Sequence, residues 1–187
     1  MSKTTNTLFL SLLTATISTS AFAKPGFYIG GNIPVANENY ISPLGVKIDA
    51  TNRLNFEFIG GYEFAISEKF GLGLEAQYSS VGEYKYKDIS TSKADAFFIS
   101  AKPKYYIADS NFYIGGMFGI GDVALDVKNH HFDFGVKNDA VGYQIGVEAG
   151  YQIDNLDVAF GLKDISSKIQ NVDVRSSGPF VGIRYNF

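Results

Sequence analysis

Along residues 26–187, apolar and polar side chains alternate with a period of two, and a helical 3.6-residue period never takes over. The stretch Val181-Gly182-Ile183-Arg184-Tyr185-Asn186-Phe187 shows the rule most cleanly. In an extended strand Val181, Ile183, Tyr185 and Phe187 share one face, while Gly182, Arg184 and Asn186 share the other. The same alternation predicts strands over about 26–35, 52–64, 70–79, 94–107, 112–121, 140–153, 156–163 and 179–187. Short connectors (65–69, 108–111 and 154–155) alternate with long ones (36–51, 80–93, 122–139 and 164–178). Strands joined this way form an antiparallel up-and-down sheet, and an even number of them brings both ends of the sheet to the short-turn side.

One face of every predicted strand is bulky and apolar, as in Val141, Tyr143, Ile145, Val147, Ala149, Tyr151 and Ile153. The opposite face is rich in Gly, Gln and charge, as in Gly142, Gln144, Gly146, Glu148, Gly150 and Gln152. An eight-stranded barrel has too narrow an interior for the first set, so the apolar face points outward. Pro103 falls inside a strand, where it removes a ladder donor; a bulge near the short-turn rim is expected to absorb it. The mean hydropathy of +0.01 suits an apolar outside averaged with a polar inside, and is far too low for a bundle of membrane helices. A soluble lipocalin-like barrel would put its apolar face inward. The absence of Trp and the charges on the non-bulky face weigh against it.

The terminal stretch resembles the assembly signal of bacterial outer-membrane β-barrels. In that signal a Gly, an aromatic or apolar residue and a terminal aromatic recur, here Gly182, Tyr185 and Phe187. The polar residue that usually opens it is replaced by Phe180. Over residues 24–187 the chain resembles the small outer-membrane barrel family that includes OmpX-like and Opa-like proteins and the barrel half of OmpA-like proteins. The resemblance implies an eight-stranded antiparallel transmembrane β-barrel in the outer membrane of a Gram-negative bacterium. Its expected partners are outer-membrane lipid, lipopolysaccharide and the β-barrel assembly machinery.

Residues 1–23 are set apart from this pattern. Lys3 precedes a short apolar run, and Ala21-Phe22-Ala23 closes it. This is the layout of a cleavable signal peptide with cleavage before Lys24. Loss of Lys3 with it takes the formal charge from −3 to −4, which argues against a nucleic-acid partner. The sequence has no Cys, so disulfides, iron–sulfur clusters and thiolate zinc sites are ruled out.

The inward face places Glu57, Glu63, Glu75, Glu148 and Asp157 beside Lys102, Lys104, Lys163 and Arg184. Five acids and four bases in a narrow lumen are expected to form a paired network, with inward Gly leaving room for water. Arg184 is expected to meet Glu57, Glu75 or Glu148. The two His, His130 and His131, lie in the third long connector; a metal site there would need both to converge with Asp133, and a solvated loop tip is the simpler reading. Val123, Leu125 and Val127 before this pair, and Phe132, Phe134 and Val136 after it, predict a hairpin that continues two strands beyond the membrane. No catalytic group, metal ligand or cofactor site is assigned. The function expected first is a non-enzymatic surface barrel that contributes to envelope structure. An adhesin or host-factor binder, contacting protein or glycan through residues 36–51, 80–93, 122–139 and 164–178, comes next. A narrow pore and a lipid-modifying enzyme follow.

Overall fold

The computed structural model describes residues 25–35, 38–43, 48–49, 55–86, 90–107, 110–129, 134–169 and 172–187. The cleavage motif Ala21, Ala23 and Lys24, together with His130, His131 and Asp133, lies outside the described residues. The strands are β1 (Gly26–Pro34), β2 (Glu38–Pro43), β3 (Ile48–Asp49), β4 (Glu57–Ser67), β5 (Phe70–Tyr86), β6 (Ser90–Tyr106), β7 (Phe112–Asn129), β8 (Phe134–Ile153), β9 (Leu156–Ile169) and β10 (Val172–Asn186).

These ten segments make eight staves. β1 pairs with the Phe180–Asn186 half of β10 and β2 with its Val172–Ser177 half, so β1 and β2 form one interrupted stave. The Val35 amide donates to the Pro179 carbonyl at 3.0 Å and carries the ladder into the break. β3 pairs with β2 and β4 with β1, which makes the second stave. β5 to β10 follow as successive antiparallel neighbours, and the β1–β10 pairing closes the ring from Tyr28↔Asn186 to Pro34↔Phe180. Closure leaves no membrane-level edge with unpaired amides. Among the described residues, no helix is long and apolar enough to cross a membrane.

The long connectors expected at 80–93 and 164–178 are largely strand, and 122–139 holds the two continuing strands that its alternation predicts. β5 extends to Tyr86 and β6 starts at Ser90, β7 extends to Asn129 and β8 starts at Phe134, and β9 extends to Ile169 and β10 starts at Val172. The 36–51 connector likewise contains β2 and β3. Pro103 introduces no bulge. The β6–β7 register is the same on both sides of it (Ala101↔Phe118 and Lys104↔Gly115), and only the intervening rungs are missing.

The reason the upper strands escape a simple reading is that the two faces exchange character along the barrel. On β7 the outward side chains run Phe112, Ile114, Phe118 and Ile120, all exposed, and then Asp122. That apolar run matches the ~9–11 residues a tilted strand needs to cross a bilayer, yet β7 has 18 residues. Outward charge begins in the same way at Asp95 on β6, Asp139 on β8 and Asp164 on β9. Above this level the inward face turns apolar. Ala94, Ala96, Phe98, Val123, Leu125, Ile165, Ile169, Val174 and Ile41 form a buried cluster. Apolar outside with polar inside suits lipid; polar outside with apolar inside suits water. The switch marks where the surroundings change.

In this upper part the barrel divides. β8–β9 pairing stops at Gly142↔Ser167, while β8 continues with β7 to Phe134 and β9 continues with β10 to Ile169. Ser167 Oγ donates to the Val141 carbonyl at 3.0 Å at the fork. Above it, a β5–β8 sheet faces a β9–β10–β2–β3 sheet, with the apolar cluster between them.

Candidate functional site

The lower half of the interior is a packed polar core. Glu57, Glu63, Glu75, Lys102, Lys104, Glu148, Asp157, Lys163 and Arg184 are all buried. Arg184 sits at the centre. Its Nη2 donates to Glu148 Oε2 at 2.7 Å, and its Nη1 donates to the Tyr113 hydroxyl at 2.9 Å and to Asp157 Oδ2 at 3.4 Å. Its Nε lies 3.9 Å from Glu75 Oε2. Lys102 bridges Glu148 at 3.0 Å and Glu75 at 3.3 Å. Lys104 pairs with Glu63 at 2.7 Å and Asp157 at 3.5 Å, with its ammonium 4.6 Å from the centre of the Tyr113 ring. Glu57, a candidate partner of Arg184 from the sequence, pairs with Lys163 instead. Asp157, which strand parity alone did not single out for Arg184, is a partner because the two stand opposite each other in the β10–β9 register.

Five carboxylates against four cations leave a formal deficit, and tyrosines compensate. Tyr28 donates to Glu75 at 3.1 Å, Tyr113 to Asp157 at 2.9 Å and Tyr106 to Glu63. Glu57 accepts from Asn32 and Ser79, each at 3.0 Å. Such charge-assisted bonds are stronger than neutral ones and suit a site shut off from water. Above them Gln77 and Gln144 exchange amide bonds at 3.2 Å, and the apolar cluster begins. The tyrosines carried a sequence signal, since strand parity places Tyr28, Tyr106 and Tyr113 on the inward face with the charges.

Three inward glycines make room for aromatic rings. Gly61, Gly150 and Gly161 stand opposite Tyr28, Tyr113 and Phe180 in the registers of adjacent strands. A Cβ at Gly61 would lie 2.6 Å from the Tyr28 hydroxyl, one at Gly150 2.5 Å from Tyr113 Cε1, and one at Gly161 2.6 Å from Phe180 Cε1. Phe180, the departure from the terminal signal, is fully buried with the Lys163 ammonium 5.1 Å from its ring centre. The aromatic replacement therefore has a local partner, a cation–π contact. Of the signal residues, Gly182 is inward beside Asn32, while Tyr185 and Phe187 are outward with rings 5.3 Å apart. The Phe187 amide donates to the Phe27 carbonyl at 2.9 Å.

Among the described residues, no group of His, Asp or Glu is arranged to hold a metal ion. On the outer surface above the apolar belt, Arg175 Nε donates to Asp164 Oδ1 at 2.8 Å. This bond, with one to Tyr40, raises the Arg175 pKa above the usual arginine value.

The belt and the closed eight-stave ring agree with what comparison with known proteins finds. The family model for the outer membrane protein β-barrel domain matches residues 7–187. Neisserial surface protein A has a similar structure at a TM-score of 0.56 and 16% identity, over 87% of this chain and 97% of that one. Ail, the attachment invasion locus protein of Yersinia pestis, is similar at 0.54 and 15%, over 88% and 99%. A major outer membrane protein of Thermus thermophilus is similar at 0.53 and 10%, over 87% and 99%. No curated protein matches the sequence. The short turns therefore face the periplasm, the divided upper part faces outward from the cell, and the chain belongs to the outer membrane protein β-barrel family of Gram-negative bacteria.

Proposed function

We propose that this protein is a non-enzymatic surface barrel that stabilises the envelope and holds a rigid β-structured head above it. The observation that supports this is the filled interior. Every inward carboxylate named above already has a cation, tyrosine or amide partner, and an apolar cluster lies above the polar core. A conducting path needs continuous hydrated space, and a catalytic carboxylate needs access to substrate. Planar-bilayer recording tests the reading. Refolded protein is expected to give no discrete conductance steps; stable unitary currents would replace this reading with that of a pore.

A second reading is binding of glycan or protein by the projecting hairpins. The length of β5–β10 beyond the belt favours it. Ail, similar in fold, has been crystallised with the heparin analogue sucrose octasulfate.

A further inference from the structure

On the lipid-facing surface of the belt, an open groove of about 600 Å³ crosses β5 to β9. It forms where Pro103, Gly116 and Ala149 are small and Tyr105, Ile114 and Val147 beside them are bulky. One backbone acceptor in it has no ladder donor. The Tyr106 amide donates to the Lys69 carbonyl and the Ile107 amide to the Phe112 carbonyl, each at 2.9 Å. Backbone groups change sides at each residue of a strand, so Ile107, Tyr105 and Pro103 direct theirs at β7. The rungs Ala101↔Phe118 and Lys104↔Gly115 put Gly116 opposite Pro103. Pro103 has no N–H to give, and the Gly116 carbonyl is left without its ladder bond. We propose that this groove binds a hydroxylated alkyl chain, whose mid-chain hydroxyl donates to the Gly116 carbonyl.

The surroundings of that carbonyl support this ligand class. Hydrocarbon has no water to replace the missing donor, so a ligand hydroxyl there gains a bond that nothing else competes for. Gly116 lines the groove, and a glycine can do so only with backbone atoms. It stands on β7, the middle of the five strands, with Phe70 and Tyr105 on one side and Phe160 and Leu162 on the other. A terminal alcohol would cover one side alone, whereas a hydroxyl within the chain lets both arms lie on apolar walls. Along β7, Gly116 is ~13 Å from Phe112 at the short-turn end of the belt. That spacing leaves a polar chain end at the periplasmic interface and the hydroxyl near mid-chain. An ordinary acyl chain has no donor, so it meets the walls and leaves the carbonyl unpaired. The volume falls within the ~300–1,000 Å³ range of small-molecule sites.

Gly116-Met117 is the only Gly–Met step in the sequence, so carbon-13 glycine with nitrogen-15 methionine isolates the Gly116 carbonyl in one NMR signal. In phosphatidylcholine nanodiscs, 10-hydroxystearic acid is expected to shift that signal downfield, and stearic acid to leave it in place. After transfer to mild detergent, native mass spectrometry counts the acid retained. Wild type is expected to retain about tenfold more of the hydroxy acid than of stearic acid or of 10-oxostearic acid, which accepts but cannot donate. Pro103→Ala supplies the missing ladder N–H and is expected to hold the three acids alike. Ala149→Phe fills the groove and is expected to retain less of each. Heat-modifiable gel mobility shows that both variants are folded. Equal retention of hydroxystearic and stearic acid by wild type would overturn the proposal. So would an unmoved Gly116 signal, the oxo acid held as tightly as the hydroxy acid, a hydroxy-acid preference that survives in Pro103→Ala, or undiminished retention by Ala149→Phe.

Discussion

Arg184 offers the sharpest test of the polar core. At 2.7 Å its contact with Glu148 is worth about 6 kcal/mol in gross Coulomb energy at an effective dielectric near 20. Desolvation of two buried ions offsets most of this, so the net value of the pair is small. Removing one partner is different, because the other stays buried without its counter-charge. Arg184→Met keeps most of the side-chain length and removes the charge. Such a break typically costs ~3–5 kcal/mol. The lower end applies here, since Lys102 remains 3.0 Å from Glu148 and Tyr113 still donates to Asp157. Adding Glu148→Met removes the orphaned carboxylate and restores the original charge balance. The double variant is therefore expected to be more stable than Arg184→Met alone. Urea unfolding in lipid vesicles, followed by circular dichroism and by the folded band on unboiled gels, gives the four free energies of the cycle. Additive losses, with the double variant less stable than either single one, would show that Arg184 acts through packing volume, and the electrostatic account would fail.

Two further substitutions probe the rest of the interior. Gly150→Ala is expected to cost ~1–3 kcal/mol by overpacking, because Tyr113 is held by Arg184 and Asp157, each at 2.9 Å, and cannot retreat freely. Gly60→Ala, whose new methyl would find its nearest neighbour 3.8 Å away, serves as the near-neutral control in the same unfolding assay. Phe98→Ala, at a fully buried position of the upper cluster, is expected to cost ~3–5 kcal/mol and to open the head to limited proteolysis while the membrane belt stays protected. Cleavage at the wild-type rate would show that the cluster does not hold the two upper sheets together.

Strand alternation made the belt legible, because a period-two pattern with bulky residues on one face and Glu, Gln and Gly on the other has one solution in a narrow barrel. It also carried Glu148 and Arg184 to the same side without any view of their distance. Above the belt only the β7–β8 extension was legible, and the strands of 80–93 and 164–178 were harder. In 164–178 the outward residues Asp164, Ser166, Lys168, Asp173 and Arg175 are polar and read as connector. Ile165, Ile169 and Val174 alternate with them, but in the phase opposite to that of the belt, and the meaning of a phase depends on the surrounding solvent. Pairings were not legible either. Whether Arg184 meets Glu57 or Asp157 depends on register and shear between strands, which side-chain parity leaves open. Gly61, Gly150 and Gly161 show the same limit, since the ring that fills the space beside each is placed by register and not by parity.

The ring closure has a kinetic side. Each strand from β6 to β10 can zip onto its predecessor across a connector of five residues or fewer, so those ladders cost little loop entropy. The β1–β10 pairing instead joins Gly30 to Arg184, near the two extremes of the described chain, and cannot form by local zippering. Before it forms, β1 and β10 are both open edges with unpaired amides, which hydrocarbon cannot satisfy. Among the described residues β10 is also the sole ladder partner of β2 besides short β3, so the divided first stave gains its upper register only once β10 is docked. Closure is thus the step at which the chain commits to the membrane, and mutations that slow it should accumulate a water-exposed open sheet rather than a partly inserted barrel.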